Sequence, residues 1–112
     1  MQKFKKFKIG IVGLGYVGLP LALAFSKKYN VIGFDIDEKR VETLKLGKDF
    51  NNEFKKKILV KAKVKYTSST KELANQDVFI ITAPTPLKNN NLPDLEPLKK
   101  AIKTVAKNMK KN

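Results

Sequence analysis

The chain has 112 residues, no cysteine, no histidine and a formal net charge of +14. That length sets a single domain, and the missing residue types exclude a thiol nucleophile, a disulfide framework, the usual zinc sites and the commonest general base. The lysines occur singly or in short groups, often beside asparagine, so the charge reads as solvated surface and not as a nucleic-acid motif, which would interleave it with aromatic residues.

Residues 1–6 form a loose basic lead-in, and strand one spans residues 7–12. The start of the chain leads directly into that strand without an apolar, cleavable segment, so it is not a signal peptide. No apolar run approaches the roughly 20 residues that cross a membrane, and a cytoplasmic protein is expected. Helix one should begin near Gly15 and run to about Tyr29, with Pro20 early in it, where a missing N–H is tolerated. Its residues 19 and 21–25 are apolar almost all round, which suits a helix buried against a sheet. Strand two spans residues 31–35. Asp37 is placed to cap a helix over residues 38–46, and Gly47 to terminate it.

Residues 48–60 have little pattern; Phe50, Phe54 and 58–60 suggest a loop and a short helix. Residues 60–66 then alternate, with Val60, Ala62, Val64 and Tyr66 against Lys61, Lys63 and Lys65. This spacing predicts strand three, and the outward lysines suit a sheet edge. Ser69 and Glu72 have the spacing of a capping box for a short helix through Ala74. Residues 78–81 are continuously apolar, as a buried parallel strand should be. The last helix should start with Asp94 as N-cap and carry a stripe of Leu95, Leu98, Ile102, Val105 and Met109. There are no internal repeats and no linker.

The stretch around which these elements are organised is Gly13-Leu14-Gly15-Tyr16-Val17-Gly18, a G-x-G-x-x-G placed where strand one hands over to helix one. The first glycine permits the tight turn, the second lets a pyrophosphate approach the backbone, and the third lets the helix sit close to the strand. The helix N-terminus adds unpaired N–H groups and a positive dipole end. Asp35, 17 residues beyond Gly18, is the first acidic residue of the chain. It lies at the tip of strand two, where a carboxylate accepts hydrogen bonds from the adenosine ribose; the alternative, that it only caps the next helix, is better filled by Asp37. Arg40, on the first turn of that helix, either reaches the adenosine end of the cofactor or is a solvated surface arginine. Strand four must open on the same crevice, so Thr82 and Thr85 offer hydroxyls there and Pro84 and Pro86 stiffen the turn; the alternative is a plain proline turn. The fold class is α/β, a Rossmann-like parallel sheet of order 3-2-1-4 with flanking helices, ending before the fifth and sixth strands of a complete domain.

Three segments resemble the UDP-glucose/GDP-mannose dehydrogenase family of nucleotide-sugar 6-dehydrogenases: KIGIVGLGYVGLPLALAF at 8–25, VIGFDIDEKRV at 31–41 and DVFIITAPTPLKNNNLPDLEPLKKA at 77–101. They cover about half the chain. The P-T-P loop followed by P-D-L looks most like the branch acting on UDP-N-acetylhexosamines, the Vi-polysaccharide type, and less like the UDP-glucose branch. The resemblance implies an enzyme that uses NAD twice to oxidise a sugar C6 alcohol to a carboxylate for surface polysaccharide synthesis, through a cysteine-bound thiohemiacetal and thioester. It implies cofactor contacts at Gly13, Gly15, Tyr16, Val17, Gly18, Asp35, Arg40 and Thr85, with Ala83 and Pro84 lining the same crevice.

The same resemblance places the nucleophilic cysteine, the catalytic lysine, a dimerising helix and the nucleotide-sugar domain beyond residue 112. The expectation is therefore an incomplete N-terminal NAD-binding domain over residues 1–112, able to bind NAD and inactive alone. Asp35 should repel a 2′-phosphate and so favour NAD over NADP, although an arginine nearby can accommodate that phosphate. Nucleic acid and membrane are not expected partners, and self-association through an uncovered fourth strand is. The competing reading is a stand-alone dinucleotide-binding regulatory module without chemistry; a basic nucleic-acid-binding domain is a third.

Overall fold

In a computed structural model of the chain, which describes residues 7–49 and 54–109, four parallel strands form one sheet in the order β3-β2-β1-β4. The expected lead-in over residues 1–6 and the aromatic side chain of Phe50 lie outside the described residues. The strands are β1 (Lys8–Val12), β2 (Asn30–Phe34), β3 (Val64–Thr67) and β4 (Val78–Ile81). Four helices connect or follow them: α1 (Gly18–Phe25), α2 (Glu38–Lys45), α3 (Lys56–Lys61) and α4 (Glu96–Asn108), with a 3-10 turn at Thr70–Leu73.

β1 is central because it is apolar on both faces. In register, Ile11 lies between Gly33 of β2 and Ile80 of β4. The period-2 alternation of strands sends Ile9 and Ile11 to one face, where they pack with Leu14, Leu19, Ala22, Leu23, Val41, Leu44, Leu59 and Tyr66. Val12 and Phe34 face the other side, against Leu73 and Val105. α1, α2 and α3 thus cover one face, and the 3-10 turn and α4 cover the other.

β1, β2 and α2 differ from the sequence expectation by one residue at one or both ends, and three elements, α1, β3 and α4, differ in ways that have a structural reason. Helix α1 starts at Gly18, not Gly15, and ends at Phe25, followed by turns. Strand three begins at Val64 instead of Val60, because residues 56–61 wind into α3 and bury Leu59. Val60 is left 62% exposed. An apolar-lysine alternation has no way to reveal that a helical turn ends inside it; burial of Leu59 in the core decided. The third is α4, whose N-cap is Leu95. Asp94 sits one residue earlier and accepts the Glu96 N–H at 3.0 Å.

The capping box of Ser69 and Glu72 does not form. Ser69 makes no side-chain cap, and the Glu72 carboxylate instead accepts from the Thr67 hydroxyl and pairs with Lys65. That pairing, first with Lys65 and then with Thr67, holds the Glu72 carboxyl below its ordinary pKa. Other local signals hold. Asp37 caps α2 by accepting the N–H groups of Lys39 and Arg40, and Gly47 ends it at φ +82°.

Candidate functional site

The carboxyl ends of β1, β2 and β4 meet at residues 13, 35 and 82. Backbone bonds tie them there: the Gly13 N–H donates to the Phe34 carbonyl and the Thr82 N–H to the Val12 carbonyl, each at 2.8 Å. This is the end of a parallel sheet at which ligands bind.

The three glycines do three different things. Gly13 lies at φ +106°, where an L side chain is strained, and a Cβ there would meet the Thr82 hydroxyl at 2.8 Å. A Cβ on Gly18 would lie 1.6 Å from the Gly13 carbonyl oxygen and 2.5 Å from Thr82 Oγ1, so glycine is what lets α1 start this close to β1. A Cβ on Gly15 would meet nothing within 4 Å. The space above Gly15 is therefore open to a ligand, and Tyr16 and Val17 beside it are 68% and 61% exposed. This is the fit a pyrophosphate needs: an uncovered backbone at a helix N-terminus.

Three side chains, Thr82, Asp35 and Arg40, bond the loop directly. The Thr82 hydroxyl donates to the Gly13 carbonyl at 2.8 Å. Its proton is thus committed to the loop, which corrects the expectation that Thr82 offers it to a cofactor. The half-buried Asp35 carboxylate accepts the Leu14 N–H through Oδ2 and the Asp37 N–H through Oδ1, both at 2.9 Å. The alternative of Asp35 as the α2 cap fails, since Asp37 fills that place.

Arg40 is not a solvated surface arginine. It is 7% exposed. Its Nε and Nη2 donate to the Leu14 carbonyl at 3.0 and 2.7 Å, and its Nη1 donates to Asp49 Oδ1 at 2.9 Å. A buried guanidinium needs such partners, because desolvating a charge without them is costly. Asp49 was missed in the sequence reading; it lies in a stretch without periodicity, and no local signal marks it. Tyr66 is packed nearby. Burial pushes its phenol up to about 12, with Arg40 pulling down and Asp49 pushing up, and its hydroxyl has no hydrogen-bond partner among the described residues.

The remaining predicted residues, Ala83, Pro84 and Thr85, follow Thr82 on the same rim. Ala83 is half-buried, and Pro84 and Thr85 are exposed. Among the described residues no group of acidic residues is placed to hold a metal ion, and no helix is long and apolar enough to cross a membrane. An open depression of about 330 Å³ lies elsewhere, on the α2, α3 and β3 side, and shares no residue with the glycine loop.

A parallel sheet of order 3-2-1-4, with a glycine cradle leading into a helix and a carboxylate at the tip of the second strand, is a dinucleotide-binding domain of the Rossmann type. Comparison with known proteins narrows this. Residues 7–112 match the family model described as UDP-glucose/GDP-mannose dehydrogenase family, NAD binding domain. The chain belongs to this family, and its cofactor is NAD. It is 48% identical over 99 residues to Protein CapL of Staphylococcus aureus, covering 88% of this chain and 23% of that protein. Against the UDP-N-acetyl-D-glucosamine 6-dehydrogenase of Pseudomonas aeruginosa it is 44% identical over 108 residues, covering 96% of this chain and 26% of that enzyme. Among solved structures it is similar to the UDP-D-ManNAc dehydrogenase of Pyrococcus horikoshii, with a TM-score of 0.82 and 37% identity over 92% of this chain and 26% of the other. The chain spans about a quarter of the length of these relatives.

Proposed function

We propose that this chain is the NAD-binding part of a dehydrogenase that oxidises the C6 alcohol of a UDP-N-acetylhexosamine to a carboxylate for polysaccharide synthesis. Residues 1–112 act in it as the dinucleotide domain. The observation that carries the reading is the open space above Gly15, framed by a loop whose neighbouring backbone groups are already held. The backbone of Gly13, Gly15, Tyr16, Val17 and Gly18 would receive the pyrophosphate. Asp35 keeps acceptor capacity for the ribose hydroxyls, since a carboxylate has about four lone-pair directions and it accepts the N–H groups of Leu14 and Asp37. Ala83, Pro84 and Thr85 would line the far side. Bound there, NAD supplies a hydride acceptor.

NAD is favoured over NADP more strongly than the sequence suggested. The arginine that could have held a 2′-phosphate is committed to the Leu14 carbonyl and Asp49, which leaves the Asp35 charge to repel that phosphate. The substrate class rests on the likeness to the P. aeruginosa and P. horikoshii enzymes. A cytoplasmic location goes with this reading. Self-association does too: β4 ends the sheet of the described residues, and Leu95, Ile102 and Met109 on or beside α4 are exposed.

Two measurements test it. Calorimetric titration of the chain with NAD and with NADP should show binding of NAD only; equal binding of both would refute the specificity. A full-length dehydrogenase carrying this chain as its N-terminal domain, incubated with UDP-N-acetylglucosamine or UDP-N-acetylmannosamine and NAD, should form NADH. Absence of NADH with every UDP-sugar, alongside intact NAD binding, would favour the non-catalytic regulatory module.

A further inference from the structure

We propose that Arg40 and Asp49 form a clamp that sets the glycine loop, so that Arg40 acts as a positioning residue for the loop that receives the pyrophosphate. The inference rests on the reading of the loop as a dinucleotide cradle. A loop with glycines at 13, 15 and 18 has large conformational freedom. Ordering it on binding costs affinity, and a loop already held avoids that cost.

Leu14 is where this loop is held. Asp35 takes its N–H from one side. Arg40 takes its carbonyl from the other, with two N–H groups of one planar fork. Both peptide groups flanking Leu14 are thereby oriented, and the next residues, 15–17, are the exposed ones. The fork is aimed by Asp49, whose side chain is fully buried and whose Oδ2 also accepts the Phe54 N–H at 3.2 Å. The clamp therefore runs from the segment after α2, through α2, to the loop. A lysine in place of Arg40 keeps the charge for Asp49 but has no second donor in a fixed plane for the Leu14 carbonyl.

The test uses Arg40→Lys, Asp49→Asn and the double variant. NAD affinity is read by calorimetry, and amide hydrogen exchange is read without NAD, with melting temperature as a control. The clamp requires each single variant to lose about tenfold in NAD affinity, the scale of one charge-assisted hydrogen bond. The double variant should lose little more than either one, because both remove the same constraint. Exchange should quicken at residues 14–18 while the amide of Ile11 in β1 stays protected. Asp49→Asn binding NAD as the parent does, with Arg40→Lys weakened, would overturn the clamp and make Arg40 a direct contact. Unchanged loop exchange in both single variants would overturn it as well. If the parent chain fails to bind NAD, the cofactor reading of this chain fails separately, and the exchange arm still decides whether the loop is clamped. Should Asp49→Asn not fold, Arg40→Lys alone decides by the same exchange readout.

Discussion

Replacing Gly15 with alanine should weaken NAD binding by roughly ten- to hundredfold and leave the fold intact. The magnitudes come from the surroundings. A Cβ at residue 15 meets no atom within 4 Å, and φ there is outside the left-handed range. A Gly→Ala change at such a position stabilises a chain by about 0.4–1 kcal/mol through the unfolded state. For a domain of this size that is a rise of a few degrees in melting temperature, at roughly 4–8 °C per kcal/mol. The same methyl occupies the space a pyrophosphate would take. Displacing one phosphate from one backbone N–H forfeits a charge-assisted bond of about 1.5–3 kcal/mol, or roughly ten- to hundredfold in Kd. Gly18→Ala is the contrast. Its methyl would sit 1.6 Å from the Gly13 carbonyl oxygen, an overlap that only a backbone shift relieves, at about 1–3 kcal/mol or more. That variant should lose stability and binding together. Thermal unfolding by circular dichroism and titration calorimetry read the two effects separately. A Gly15→Ala chain that melts well below the parent, or that binds NAD with unchanged affinity, would refute the assignment of the space above Gly15.

Three further outcomes are expected. Asp35→Ala should weaken NAD binding and also loosen the loop, since Leu14 loses its acceptor; unchanged affinity by calorimetry would remove Asp35 from the site. Tyr66→Phe should be neutral or stabilise by about 1 kcal/mol in urea unfolding, because the hydroxyl is buried without a partner among the described residues. The raised folded-state value of about 12 means that the unfolded chain releases the Tyr66 proton first, at about 10, so stability is constant with respect to this group below that pH and falls as pH climbs from there through the folded value; Tyr66→Phe should flatten the decline, and an unchanged slope would count against burial as its cause. The chain should self-associate at high concentration through β4 and the uncovered side of α4, and strictly monomeric light scattering would count against it.

The order of strands, the glycine turn and the acidic tip of β2 were legible before any coordinates, because each is encoded locally. A strand followed by G-x-G-x-x-G has few other ways to close, and the apolar residues 78–81 do form a parallel strand, although β4 ends the sheet of the described residues and none of its residues is fully buried. Asp37 and Gly47 read correctly as helix punctuation for the same reason: each acts on its own backbone neighbours. The readings that failed depend on groups distant in sequence. Glu72 has the spacing of a capping box, but Lys65 and Thr67 on the neighbouring strand offer its carboxylate better partners. The lysine alternation extended strand three through a helix, since Leu59 reached the core only by winding.

Sequence by itself determined the strand-to-helix glycine turn and which glycines shape it, because turn chemistry and strand patterning are properties of short stretches. Tertiary structure alone decided what Arg40, Asp49 and Thr82 do. Arg40 lies 26 positions from the carbonyl it holds, and Thr82 lies 69 from its own. A hydrogen-bond donor is committed only when folding brings an acceptor within reach in a place that water does not share, and no local pattern records where that happens.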